Sequence, residues 1–234
     1  MTLILSIDTS GPTVVVGLDD AAGHSAGESG WTEAGHGSAP TSPPAHGEEL
    51  APAIAGLLSR FPAEATDLTH IVVGVGPGPF TGLRVGIVTA RVMADALSVP
   101  LIGVCSLDAI ARVAHRRGLV AEACTVLTDA RRREVYARRY DADGAALGEP
   151  WVSRAADLPA DVRNGPVVGP GAALYPDAFA DVRGVGGVGM RGLTSIAHDA
   201  VLGRESTEIR DTTPLYLRRP DAVESHARKR VTQP

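Results

Sequence analysis

The 234-residue sequence predicts an α/β protein built on a repeated plan, and three observations carry that expectation. Residues 71–75 form a short apolar, β-branched run; Gly76-Pro-Gly-Pro then forbids any regular element, and an apolar helical pattern follows from about Thr81 to Leu97. A second strand-like run at 101–104 makes this a crossover, so the two strands are expected to pair in parallel. The third observation is that the chain opens twice in one way. Apolar runs at 3–8 and 13–18 recur at 123–127 and 134–140, and an aspartate, Asp8 or Asp129, stands at or just after the end of the first run of each pair.

In chain order, Thr9-Ser-Gly-Pro joins the first two runs as a hairpin turn, and residues 23–31 supply a third strand. Residues 34–47 are too rich in Gly, Pro and Ser to order themselves and read as a mobile surface loop. Leu50, Ile54, Leu57 and Leu58 lie at helical spacing, which predicts a one-faced helix over 48–59 whose first turn Pro52 limits. Thr81 caps the central helix and Pro100 stops it. Ser106 caps a further helix over 107–117 that Gly118 ends. Beyond the second hairpin the pattern thins to a strand and loop at 166–171, a short helix at 195–202 and a last strand at 215–218. The expected division is a first lobe at 1–105, to which residues 205–220 are candidates to return, a second at 106–204, and a basic, frayed tail at 221–234.

Apolar residues at 44% with 21% charged are ordinary for a soluble globular chain, and no apolar run approaches the roughly 20 residues of a membrane span. The start meets an acid within eight residues and lacks a basic n-region, and the two cysteines suit a reducing, cytoplasmic compartment. A net charge of −5 leaves no general footprint for nucleic acid. The basic clusters Arg131–Arg133, Arg138–Arg139, Arg218–Arg219 and Arg228-Lys-Arg230 each read as a solvated face, with an auxiliary RNA contact from the tail as the sharper alternative.

Chemistry concentrates around Gly76-Pro-Gly-Pro-Phe-Thr-Gly-Leu-Arg. It is not a nucleotide-phosphate loop, since the required lysine is missing (the chain's one lysine is Lys229) and the prolines delete amide donors. The helix after it carries Gly82, Gly86, Ala90 and Ala94 every four residues, with bulky apolar residues on both sides of that stripe. A small stripe lets another element come close. Two arrangements fit: a crossover helix buried in its own domain, or one with a side turned to a partner.

The motif Gly76-Pro-Gly-Pro-Phe-Thr-Gly-Leu-Arg-Val-Gly resembles the signature of the TsaB (YeaZ) family, the accessory subunits of bacterial tRNA threonylcarbamoyladenosine synthesis. Ile4-Leu-Ser-Ile-Asp-Thr-Ser, Asp129-Ala-Arg-Arg-Arg-Glu-Val-Tyr and Pro214-Leu-Tyr-Leu-Arg agree in order and spacing, so the likeness covers most of the chain. The resemblance implies an actin-like ATPase fold of two duplicated lobes, each opening with a β-hairpin, the second shortened. It implies a non-catalytic subunit that pairs with a TsaD-like transferase. The pair acts with a TsaE-like ATPase on threonylcarbamoyl-adenylate from a TsaC-like enzyme and modifies adenosine 37 of tRNAs that read ANN codons. Phe80, Thr81, Gly82, Arg84, Gly86, Ile87, Ala90, Arg91 and Ala94, with Ala51 and Ala55, are the expected partner contacts, and a homodimer is the alternative for the free chain. Contact with tRNA would be indirect.

By this resemblance Asp8 sits where relatives of the superfamily hold a magnesium-bound phosphate, and Asp129 where their second phosphate loop begins. Arginines and hydroxyl residues stand where glycines would be needed, so turn formation is the favoured role and nucleotide contact a remnant, with ATP or ADP at the shared interface as the one nucleotide alternative. TsaD-like subunits carry His-x-x-x-His as a metal pair. Here His46 stands near the first of these positions and Leu50 at the second, so no metal site is expected. The competing readings are a stand-alone ATP-dependent kinase or transferase on this fold and, more remotely, a metal-dependent glycoprotease. Shortening residues 35–47 is expected to shift the melting temperature by no more than a degree or so, because closure entropy varies slowly with loop length; a large drop in a thermal melt would mean that the loop packs on the core.

Overall fold

Strand β1 (Leu3–Asp8) turns Leu3, Leu5 and Ile7 to one apolar cluster and Ile4 to another, and every one of its residues is buried. Such a strand belongs at the centre of a sheet covered on both faces. The computed structural model, which describes residues 2–20, 25–29, 46–60, 63–184, 186–204 and 207–218, places it there. Strand β2 (Val15–Asp20) returns antiparallel to β1, with Asp8 opposite Val15, and β3 (Ser25–Ser29) follows antiparallel to β2. After helix α1 (His46–Arg60), β4 (His70–Gly74) lies parallel to β1 on its other side. Helix α2 (Phe80–Leu97) then crosses over to β5 (Leu101–Val104), parallel to β4.

Helix α3 (Ser106–Arg116) leads into the second sheet. There β6 (Cys124–Asp129) and β7 (Glu134–Tyr140) form a hairpin, and β8 (Trp151–Arg154) adds antiparallel to β7. Two short helices, α4 (Ala160–Asn164) and α5 (Pro170–Leu174), flank β9 (Pro166–Val168), which pairs in parallel with β6. Strand β10 (Asp181–Arg183) completes this sheet parallel to β9. Helix α6 (Met190–Val201) carries the chain back, and β11 (Ile209–Arg210) pairs antiparallel with β5 at the edge of the first sheet. The orders β11-β5-β4-β1-β2-β3 and β10-β9-β6-β7-β8 share one scheme: from the hairpin strand, two antiparallel neighbours lie on one side and two parallel ones on the other.

The layers follow from where apolar residues face. Leu50, Ile54 and Leu57 of α1 and Leu83 and Ile87 of α2 cover one face of the first sheet, while Leu193, Ile196 and Ala197 of α6 cover the other. Helix α3 packs against α6 and sends Leu107, Ile110 and Ala114 into a cluster with Val126 and Tyr140 of the second sheet. That sheet's far face buries Leu127, Val135 and Val167 against Val162 of α4 and Ala172 of α5. Helices α3 and α6 are therefore the filling between two sheets. Asp199 of α6, 2% exposed, ties them further by ion pairs to Arg112 of α3 at 2.8 Å and to Arg204 at 3.2 Å.

Several boundaries differ from the expected ones. Helix α1 starts at His46, two residues early, so His46 and Gly47 are helical and residues 34–45 of the expected loop fall outside the described residues, as does the tail at 221–234. Pro79 occupies the cap position of α2, and Thr81 is an exposed residue of its first turn. Ser106 is the first residue of α3, not its cap; its hydroxyl accepts the Gly76 amide at 3.1 Å. Helix α6 starts at Met190, five residues before the expected Ser195. The last strand is β11, while residues 215–218 run beside the first sheet in irregular form and bind it through one bond, Leu215 N–H to Val75 O at 2.8 Å.

Where α3, β7 and the returning chain meet, Arg138 is buried. Its Nη1 reaches Asp108 at 2.7 Å, its Nε donates to the Gly148 carbonyl at 3.0 Å and its other guanidinium nitrogen pairs with Glu208. The Tyr140 hydroxyl donates to the same Asp108 oxygen at 2.7 Å. Removing one member of such a network strands the others without water. Arg138→Met is therefore expected to cost about 3–5 kcal/mol in urea unfolding. Arg139→Ala, which breaks only the exposed pair with Asp161, is expected to cost no more than about 1 kcal/mol.

Candidate functional site

The carboxyl end of β1 and the start of α2 form one keyed unit. The Thr9 hydroxyl donates to the Gly82 carbonyl at 2.8 Å and accepts the Gly86 amide at 3.1 Å, so it sits across an i, i+4 pair of the helix. A Cβ on Gly82 would stand 2.6 Å from the Thr9 carbonyl oxygen, and one on Gly86 would stand 2.4 Å from the Thr9 hydroxyl. The glycines are required by this approach. Gly78, whose Cβ would meet the Ser10 carbonyl at 2.4 Å, extends the contact into the preceding loop.

The small stripe is therefore turned inward. Gly82, Gly86, Ile87, Ala90 and Ala94 are buried, Ala90 completely, against the loop at Thr9 and the core under the first sheet. These five side chains are spent on packing within the chain, and nothing larger than hydrogen fits between Thr9 and Gly82 or Gly86. Phe80, Thr81, Arg84 and Arg91 are exposed, as are Ala51 and Ala55 of α1. Sequence reasoning missed Val88 and Val92, which stand 55% and 62% exposed one helical turn apart on α2. A helix apolar nearly all round announces that two sides matter but not which of them faces its own sheet.

The returning chain trims one edge of this face. Tyr216 stacks on Phe80 with ring centroids 4.9 Å apart, and Arg84 lies over the Phe80 ring at 3.9 Å while donating to the Tyr216 hydroxyl at 3.0 Å. Arg91 donates to the Thr212 hydroxyl at 3.0 Å and carbonyl at 2.8 Å. Arg218 then bridges to the β6–β7 hairpin of the second sheet, donating to the Ala130 carbonyl at 2.7 Å and pairing with Glu134 at 3.0 Å.

Both aspartates are turn formers. Asp8 Oδ1 accepts the Ser10 amide at 2.8 Å and the Ser10 hydroxyl at 2.6 Å, and Asp129 Oδ1 accepts the Arg131 amide at 2.7 Å. They differ in surroundings, since Asp8 is 1% exposed whereas Asp129 lies at an open hairpin tip. The second carboxylate oxygen of Asp8 has no hydrogen-bond partner among the described residues and lies beside Gly74, where a Cβ would come within 1.8 Å of it. Burial pushes the Asp8 carboxyl above the ordinary range, against the pull of the Ser10 and Ser106 hydroxyls.

His46 is buried at the start of α1, with Nε2 donating to the Gly11 carbonyl at 3.1 Å and its ring against the position of a Gly82 side chain. Leu50, one turn on, is 2% exposed in the core cluster. The two therefore share a helical face, as a His-x-x-x-His pair would. That face is spent on packing, and the histidine is committed to a loop.

A family model described as "TsaD: tRNA N6-adenosine threonylcarbamoyltransferase" matches residues 35–175. The chain is similar to an uncharacterized protein of Mycobacterium tuberculosis, 38% identical over 183 residues that cover 76% of this chain and 77% of the relative. It is also similar to the tRNA threonylcarbamoyladenosine biosynthesis protein TsaB of Bacillus subtilis, 36% identical over 96 residues, or 41% of this chain and 40% of that one. Among solved structures, an uncharacterized Pseudomonas aeruginosa protein with similarity to peptidase YEAZ superposes with a TM-score of 0.73 at 26% identity, covering 93% of this chain and all of the other. No helix among the described residues is long and apolar enough to cross a membrane.

The raised Asp8 carboxyl sets a sign that can be measured. A carboxyl that binds its proton more tightly when folded weakens the fold as pH rises from the unfolded value near 4 toward the folded one. Asp8→Asn, which keeps the acceptor for Ser10, is therefore expected to melt at or above wild type, with an advantage larger at pH 8 than at pH 4. A variant that loses stability at pH 8 would mean that the ionised carboxylate is itself favoured.

Proposed function

Since the chain belongs to the family that the TsaD model describes, as a TsaB-like member of it, we propose that it acts in tRNA threonylcarbamoyladenosine synthesis as a non-catalytic subunit. It pairs with a TsaD-like transferase and supports transfer of the threonylcarbamoyl group to N6 of adenosine 37 in tRNAs reading ANN codons. A TsaE-like ATPase joins the assembly. The repeated strand scheme of the two sheets supports an actin-like duplication with a shortened second lobe, residues 209–218 returning to the first.

The observation that carries this reading is the exchange of faces around α1 and α2. The position where a second imidazole would complete a metal pair is the core residue Leu50, and His46 is bound to the Gly11 carbonyl. The outer side of the same helices offers Val88, Val92, Ala51 and Ala55 to a neighbour. A helix pair with an apolar outer stripe between charged edges suits a second helix pair of like construction, and the transferase of the same family would supply one. A homodimer of the free chain would use this face too.

Two substitutions separate the faces. Val92→Asp is expected to melt within about 0.5 kcal/mol of wild type, as surface changes usually do, and to weaken co-purification with the TsaD-like protein of the same genome at least tenfold. Ala90→Leu is expected to cost about 1–3 kcal/mol or more through overpacking against the first lobe. Undiminished pairing by Val92→Asp would put the contact elsewhere.

A further inference from the structure

The turn between β6 and β7 holds Arg131, Arg132 and Arg133 at φ values of 62°, 53° and 64°. Three successive left-handed residues are the place for glycine or asparagine, so a turn chosen for relaxation alone would not carry three guanidinium groups. Arg132 and Arg133, with Arg154 from the end of β8, line an open cleft of about 510 Å³. Leu174, at the end of α5 and 54% exposed, lines it as well, with Tyr175 and with Asp177, the one carboxylate among the lining residues. The cleft lies beyond the carboxyl ends of the parallel strands β6 and β9, the end at which α/β sheets take ligands. Neither Arg133 nor Arg154 has an ion-pair partner among the described residues.

Guanidinium forks take phosphate oxygens in pairs, and a tyrosine ring next to an exposed leucine offers a flat apolar surface to a base. An open cleft with charge along one side and an aromatic ring within it suits a strand passing through. We infer that this cleft holds a single-stranded segment of RNA, with backbone phosphates on Arg133 and Arg154 and a base against Tyr175. The choice of RNA over another polyanion rests on the tRNA reading above; the cleft itself does not.

The test is fluorescence anisotropy of the isolated full-length chain with a labelled unmodified tRNA, titrated at several salt concentrations. Wild type is expected to bind, and the double variant Arg133→Ala/Arg154→Ala to lose at least tenfold in affinity. Its slope of log K against log salt should fall by about 1.4, two single-strand phosphates' worth of counterion release. Tyr175→Ala is expected to lose several-fold with the slope unchanged, because stacking releases no counterions. The matched control Arg116→Ala/Arg117→Ala, exposed at the end of α3, is expected to change binding little. Absence of wild-type binding, equal losses in both double variants, undiminished binding by the first pair, or displacement of the tRNA by equimolar ADP would each overturn the inference. An unchanged affinity for Tyr175→Ala would overturn the base contact. Pairing with the TsaD-like subunit is measured separately by co-purification, so intact pairing with no RNA binding overturns the cleft alone.

Discussion

One hydroxyl governs the first sheet and the helix that crosses it. Thr9 leaves the end of β1 and enters the side of α2, taking the carbonyl of Gly82 and the amide of Gly86. That insertion demands a helix without side chains at those positions. It also brings the loop before the helix against Ser10 and fixes which side of α2 looks outward. The glycine-rich motif is thus a device for backbone approach within one chain, and the helix's free face is defined by what the threonine occupies.

A second constraint couples the two sheets. Helices α3 and α6 serve both sheets, and Arg138 ties the second hairpin to α3 and to the returning chain through Asp108 and Glu208. The returning chain then runs along α2 and reaches the tip of the second hairpin through Arg218. The face offered by α1 and α2 is therefore stiffened from behind by the core and trimmed at its edge by residues more than a hundred positions later.

Much of this was legible in the sequence, and the gaps have physical causes. The crossover through β4, α2 and β5 announced itself by β-branched runs around a loop that no regular element tolerates, and β7 was read at its observed bounds because alternation and turn residues agree there. Strands of three or four residues such as β8 and β10 carry too few positions for a period to show. The stripe of small residues was visible, but its direction was not, since glycine spacing reports that something approaches and not what. That something was a threonine 73 residues earlier. Likewise the substitution at Leu50 could be read directly, while the commitment of His46 to Gly11 required the fold. The left-handed turn at Arg131–Arg133 ran against local propensity, and no spacing rule would have placed Arg154 beside it.

The position of β11 bears on how the protein is made. It is a two-residue strand on the open side of β5, and the ribosome makes it only after α3, the whole second sheet and α6. Until then the growing polypeptide presents β5 with its outer amides and carbonyls unpaired, the kind of border at which nascent strands associate wrongly. Synthesis from the amino end therefore cannot finish the first sheet first. The sheet that begins earliest is sealed only after the other has been made, and a message cut short before β11 would release a protein with an unguarded sheet edge.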